Sequence, residues 1–454
     1  MKSSIAKGII GNGLAQIVLK VIRILDQLLL VPFFLTAWGA EYYGEWLTLS
    51  IIPTILEFAD FGIGSAAGNS FVLAYTAGDK QKAANIRKSG IIIISCTIIV
   101  GVILTTIILS TANYFKLFDK TIIPANEATI ALTLIMIAKL MTFSYHLIVS
   151  FFRSARKAVL GNLIYSGYFA GNLVAGICAI ALGCNIVGYA FSQFIIAIIF
   201  TTLYFIIGNR MIDLTEYRGY ITSTDIKSIT HKGFGYMLNM VWQSIYFQGS
   251  TFVVRVTLGA ESVAIFNTMR TACRSINQIF NIINGSVFPE LQYAYGKGEI
   301  HIVHRLFRIS ILTSIIIGIL GTTILIIFGL DIYNIWTNNT LSVSSSIWYT
   351  FCIGILFNGI WWTSIVAYSA TNNPYNFAIP CTITSCLSVV ISYILSRHFG
   401  LYGAVLGVIL FDVIMMIYVL PDSAKLFGLR ISEIFCHIKE DLQSIKNSLF
   451  KKRI

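Results

Sequence analysis

Five basic side chains lie deep inside apolar stretches of this chain: Lys20, Arg23, Lys139, Arg270 and Arg274. At the centre of a membrane span each costs about 2.5–3.5 kcal/mol on the insertion scale, so an unneeded one is unfavourable. Their spacing gives them company. Asn267, Arg270, Arg274, Asn277, Gln278 and Asn281 recur at steps of three and four, which places them along one helix face. Asn12, Gln16, Lys20, Arg23 and Gln27 make a similar stripe, and Asn239, Gln243, Tyr246 and Ser250 a third. Amide and cationic groups in this pattern can bind an anion through charge-assisted hydrogen bonds. Arg270, Arg274, Lys20, Arg23, Lys139, Asn267 and Gln278 are therefore the candidate substrate-binding residues. Acids are fewer. Asp26, Glu57, Asp60, Glu290 and Asp412 are candidates for gating or for carrying a coupling ion, H+ or Na+, and serve equally well as helix-to-helix ties. Gly62-x-Gly64 beside Asp60 would permit close helix approach. No metal-binding acidic motif, nucleophile–base pair or Cys-x-x-Cys is evident, so no catalytic residue, metal or cofactor is assigned. The eight cysteines read as small packing residues.

The elements that position these groups follow from composition. Of 454 residues, 56% are hydrophobic and only 11% charged, with a mean hydropathy of +0.78. Soluble domains carry about 25% charged residues, so a soluble enzyme and a disordered chain are both excluded. The pattern is that of an all-α polytopic membrane protein. Apolar runs predict twelve spans, at 8–37, 45–73, 89–112, 127–150, 160–182, 186–207, 233–257, 262–289, 307–330, 345–369, 376–396 and 402–420. The N-terminal run holds Lys20, Arg23 and Asp26 and lacks a small-residue cleavage site, so it reads as a retained first span.

The net charge of +12 would suggest nucleic acid on a soluble protein, but here it sorts by side. With a cytoplasmic N-terminus, 23 of the 32 basic residues fall in inside segments and 3 in outside loops, leaving 6 within spans. That bias predicts a multi-pass membrane protein with both termini cytoplasmic and no nucleic-acid partner. Shifting the sequence by 220 residues aligns Gly39-Ala40-Glu41 with Gly259-Ala260-Glu261, and Ala74-Tyr75 and Gly78-Asp79 with Ala294-Tyr295 and Gly298-Glu299. Two six-helix lobes related as parallel repeats follow, residues 1–220 and 221–424, with a basic tail at 425–454. Substrate would bind between them, in a wet, cationic cavity lined by the three stripes. Local neutralisation by Asp26 is the competing reading for the first stripe. For Arg270 and Arg274 it is disfavoured, because their own span holds no acid before Glu290. Trp242, Trp361 and Trp362 lie deep enough to stack on a sugar.

Pro32-Phe33, Gly39-Ala40-Glu41-Tyr42-Tyr43-Gly44, Trp46 and Asp60-Phe61-Gly62-Ile63-Gly64 resemble the start of bacterial O-antigen (Wzx-type) polysaccharide flippases of the MOP exporter superfamily. Leu258-Gly259-Ala260, Arg270 and Phe288-Pro289-Glu290 extend the resemblance through the second half. The resemblance implies a carrier and not an enzyme. Its substrate would be an undecaprenyl-pyrophosphate-linked oligosaccharide for surface polysaccharide such as lipopolysaccharide O-antigen, moved from the cytoplasmic to the periplasmic leaflet by alternating access. It also implies membrane lipid, a polysaccharide polymerase and a chain-length regulator as partners. The alternatives are a multidrug/cation antiporter of the same superfamily, which would want an acidic cavity, and a membrane polymerase or ligase, which would want a larger outer loop.

Overall fold

The structure is a computed structural model that describes residues 3–50, 52–56, 62–116, 122–336 and 343–436. Every regular element among them is a helix. In chain order they are α1 (Ser3–Leu49), α2 (Ile52–Ile55), α3 (Ile63–Thr76), α4 (Lys80–Tyr114), α5 (Ala125–Met141), α6 (Tyr145–Ser154), α7 (Ala158–Ala181) and α8 (Ile186–Arg210). After the central polar stretch come α9 (Ser223–Ser244), α10 (Ser250–Leu258), α11 (Ala260–Arg274), α12 (Asn277–Gly296) and α13 (Ile300–Trp336). The chain then forms α14 (Ser345–Ser364), α15 (Val366–Thr371), α16 (Tyr375–Leu426) and α17 (Ile431–Cys436).

Among the described residues, eight helical segments are long and apolar enough to cross a membrane. One of them, α16, turns back at Gly400 (φ 59°) and so carries both the eleventh and twelfth expected spans. The seventh and eighth expected spans are helical but do not reach that apolarity, because they carry the polar stripes. Part of the second span lies outside the described residues, and so do Glu57 and Asp60.

Positions aligned by the 220-residue shift share their backbone geometry. Gly78 and Gly298, 220 residues apart, both have positive φ, at 89° and 72°. Each ends its helix with the same bonds: Gly78 N donates to Tyr75 O (3.3 Å) and Asp79 N to Ala74 O (3.1 Å), as Gly298 N does to Tyr295 O (3.0 Å) and Glu299 N to Ala294 O (2.9 Å). Glycine suits this left-handed position because it has no Cβ to clash with the carbonyl. Gly39 and Gly259, the other aligned pair, share φ values of 78° and 89°. Further along, Arg156 (φ 57°) and Asn372 (φ 56°) end α6 and α15 alike, so the offset narrows by a few residues.

Contacts divide the chain into two compact units, Ile10–Phe234 and Gly235–Ile454, the second joined by Met1–Ile9. In the first unit α5 packs on α8, α3 on α4 and α6, and α7 on α8. Gly64 and Gly68 allow the close approach of α3 to α6: a Cβ on Gly68 would stand 2.6 Å from His146 O. Arg153, expected in an inside loop, is 6% exposed and donates to Asn69 Oδ1 at 3.1 Å. In the second unit α14 packs on α13 and α16, and α10 on α16, around Trp242, Tyr246, Trp348, Trp361 and Phe411. Ile5 packs with Val287, Leu291, Val303 and Leu306.

Within α16 the two arms touch through small residues. Ser388 Oγ donates to Gly407 O (2.7 Å) and Ser392 Oγ to Ala404 O (3.1 Å). A Cβ on Gly403 would lie 2.1 Å from Leu395 O, and one on Gly407 2.5 Å from Ser392 Cα. Small residues every fourth position let two backbones meet where lipid offers no hydrophobic drive to association.

Candidate functional site

The second unit joins the seventh- and eighth-span stripes into one polar network. A π-turn at Ile245–Gly249 separates α9 from α10. Such turns widen the helical ladder and leave carbonyls open to outside donors. Phe247 O is used that way, accepting from Arg270 Nη1 at 3.1 Å. Arg270 also donates to Ser250 Oγ (2.9 Å), Thr251 Oγ1 (3.0 Å) and Asn267 Oδ1 (2.6 Å). Its guanidinium lies 5.2 Å from the ring centres of both Phe247 and Phe266. Every one of these acceptors is neutral. Among the described residues no carboxylate neutralises the half-buried Arg270.

Arg274, one turn on, is paired. Its Nη2 meets Asp412 Oδ2 at 2.9 Å and also donates to Tyr246 Oη. Asp412 Oδ1 accepts from Asn358 Nδ2 (2.7 Å) and Trp361 Nε1 (3.0 Å). The carboxylate side chain is 3% exposed and the arginine 16%. Local neutralisation, disfavoured for Arg274 because its own span lacks an acid, is thus what the structure has. The partner comes from the other end of the unit, on the second arm of α16. Asn277 Oδ1 and Asn358 Oδ1, which border the same crevice, meet no donor among the described residues.

Tyr246→Phe removes the phenol from Arg274 but keeps the ring among Trp242 and Phe411. It should lower stability by about 1.5–3 kcal/mol, the worth of a hydrogen bond to a charged group. An unchanged unfolding midpoint in detergent would mean that Asp412 alone holds the guanidinium.

Within the second unit, Gln278 and Glu290 lie on α12, and Gln278 is exposed. The Glu290 carboxyl packs against Gly8, where a Cβ would stand 2.1 Å from its Oε1. In the first unit, Arg23 lies over the Phe169 ring at 4.4 Å, and Lys20 is half-buried. Asp26 forms no ion pair with either among the described residues, so local neutralisation by Asp26 is not observed. Asn162 Nδ2 reaches Asn12 Oδ1 at 3.4 Å. Lys139 is half-buried near the end of α5.

The structure also reassigns the tryptophans. Trp242 and Trp361 are 2% and 1% exposed, and they pack on each other and on Phe411, with no ring face left for a sugar. Trp362 donates to Asn281 Oδ1 at 2.8 Å. Asn358 and Trp361 were not anticipated as holders of Asp412. A lone Asn three residues before a Trp in an apolar span, one helix face, is the signal that could have found them.

This arrangement of helices is the MATE-type fold of MOP-superfamily transporters, and the chain is a multi-pass membrane protein. Over 97% of this chain and 99% of the other, it matches a structure described as MATE in the bent conformation, with TM-score 0.79 and 15% identity. A multidrug resistance MATE family transporter in its outward-facing conformation matches over 94% and 98%, with TM-score 0.72 and 15% identity. A MOP superfamily transporter from Pyrococcus furiosus, described as having a binding pocket of reverse polarity that suggests a different function, matches over 94% and 98% with TM-score 0.73 and 14% identity. No protein-family model matches the chain, and no curated protein sequence matches it significantly.

Proposed function

We propose that this transporter flips an anionic, lipid-linked oligosaccharide across the bacterial inner membrane, the headgroup carried on a pyrophosphate and the prenyl chain left in lipid. The observation that carries this reading is Arg270: a guanidinium deep in a polar network, held in position among the described residues by neutral acceptors. Positive charge that protein carboxylates leave unanswered suits a phosphate and repels a cationic drug. Arg274 contributes by position, since its charge is already met by Asp412. Lys20, Arg23 and Lys139 are secondary candidates for the same headgroup. Asp26, Glu290 and Asp412, with Glu57 and Asp60, remain the candidates for gating or ion coupling. A polysaccharide polymerase and chain-length regulator would act on the product.

Multidrug antiport is the second reading, favoured by the likeness to a transporter described as a multidrug resistance MATE. Reconstituted vesicles separate the two. Arg270→Ala should slow the flipping of a labelled undecaprenyl-pyrophosphate oligosaccharide by about 10–100-fold, the loss expected for charge-assisted hydrogen bonds, with rates read well below the variant's own unfolding midpoint. Arg270→Lys should recover part of the rate. A normal rate in Arg270→Ala, or export of organic cations with no flipping in the parent protein, overturns the proposal.

A further inference from the structure

The central polar stretch is not a free tether in this fold. Between α8 and α9 it lies along the first turns of α4. Asp213 N donates to Tyr75 Oη (3.2 Å), Gln81 Nε2 to Arg218 O (2.9 Å), and Tyr220 N to Asn85 Oδ1 (2.9 Å). Gly219 is pressed so closely on α4 that a Cβ would stand 2.4 Å from Ala84 O. These bonds fix Arg218 opposite Arg87 and Lys88. The three basic side chains border one open groove of about 610 Å3, together with Glu216 and the apolar Ala84 and Ile91.

None of these three cations has a hydrogen-bond or ion-pair partner for its side chain among the described residues, although Arg87 is half-buried. A half-buried, unpaired arginine is unfavourable unless something outside the protein meets it. Ile91 marks where the apolar run of the third span begins, so the groove sits at the level where headgroups meet acyl chains. Basic pockets at that level recognise anionic lipid headgroups, and the charge bias assigns this side to the cytoplasmic leaflet.

We propose that the groove formed by Arg87, Lys88 and Arg218 is a binding site for the phosphate headgroup of an anionic phospholipid, held as a resident lipid and independent of transport. Lys88 and Arg218 clamp the phosphate from the water side, Arg87 from below, and the acyl chains leave over Ile91. Glu216 lowers the affinity of the site.

Native mass spectrometry of the full chain in detergent tests this, with phosphatidylglycerol, phosphatidylcholine and inorganic pyrophosphate as separate probes. The parent protein should bind phosphatidylglycerol in preference to phosphatidylcholine. Arg87→Gln with Arg218→Gln should weaken phosphatidylglycerol binding roughly thirtyfold, about fivefold or more for each basic group lost. Glu216→Gln should tighten it, a change in the opposite direction that misfolding cannot imitate. Equal binding of phosphatidylglycerol by the double variant and the parent overturns the proposal. So does equal binding of the two lipids. Inorganic pyrophosphate binding with the same variant sensitivity, in the absence of phosphatidylglycerol binding, overturns it in favour of a soluble-anion site.

Discussion

Replacing Asp412 with alanine should destabilise the protein by about 3–5 kcal/mol, because it strands Arg274 in a site from which water is largely excluded. The carboxylate does more than neutralise one charge. It also receives Asn358 and Trp361, so three donors lose their acceptor together. Removing both charges should cost much less. Arg274→Met with Asp412→Leu replaces the pair with apolar side chains that fit among Val408 and Ile355, and buried pairs exchanged in this way are often near neutral. The unfolding midpoint of the purified protein, compared across both single variants and the double, measures the coupling. An Asp412→Ala protein as stable as the parent would show that the pair does not hold the unit together. A double variant no better than the worse single would show that each residue acts separately. The comparison also divides the two roles open to Asp412. If the double variant is stable yet inactive, the pair serves transport. If it is stable and active, the pair is a tie between α11 and α16.

Gly407→Val should abolish the folded protein altogether. The added side chain begins 2.5 Å from Ser392 Cα, and backbone cannot rotate away as a side chain can. Gly403→Leu is worse placed still, against Leu395 O and its carbonyl carbon. Overpacking alone costs about 1–3 kcal/mol in a core. Here the Ser388 and Ser392 bonds to the facing carbonyls are lost as well, about 1 kcal/mol each. Size-exclusion chromatography of detergent extracts reads the outcome as loss of the monodisperse peak. Gly167→Ala on α7 is the matched control. Nothing lies within 4 Å of the position its Cβ would take, so it should extract like the parent protein. A normal peak for Gly407→Val would mean that the arms of α16 do not meet as described.

Much of this architecture is legible in residue order. The apolar runs anticipate nearly every helix, and the Gly39/Gly259 and Gly78/Gly298 correspondences become matching helix ends. Arg270 and Arg274 are visible because few charges interrupt such runs. Other features are hidden for physical reasons. The acid that neutralises Arg274 is 138 residues away, so a search of its own span cannot find it. The π-turn that exposes Phe247 O leaves no periodic signature, because five residues are too few to shift a stripe visibly. Arg153 looks like a loop residue by its neighbours Arg156 and Lys157, yet Asn69 draws it into the interior. Trp361 shows depth in the sequence but not direction, and direction decides between a sugar platform and a carboxylate ligand.

The packing of Ile5 sets an order of events during synthesis. Its contacts, Val287 through Leu306, are synthesised some 280 residues after it. At about 5–20 residues per second, the opening turn of α1 waits on the order of 15–60 seconds with its apolar face uncovered. The second unit therefore closes only when this earlier segment is returned to it. Its folding is tied to successful insertion of everything in between, and a span that failed to insert would leave that unit without one of its core side chains.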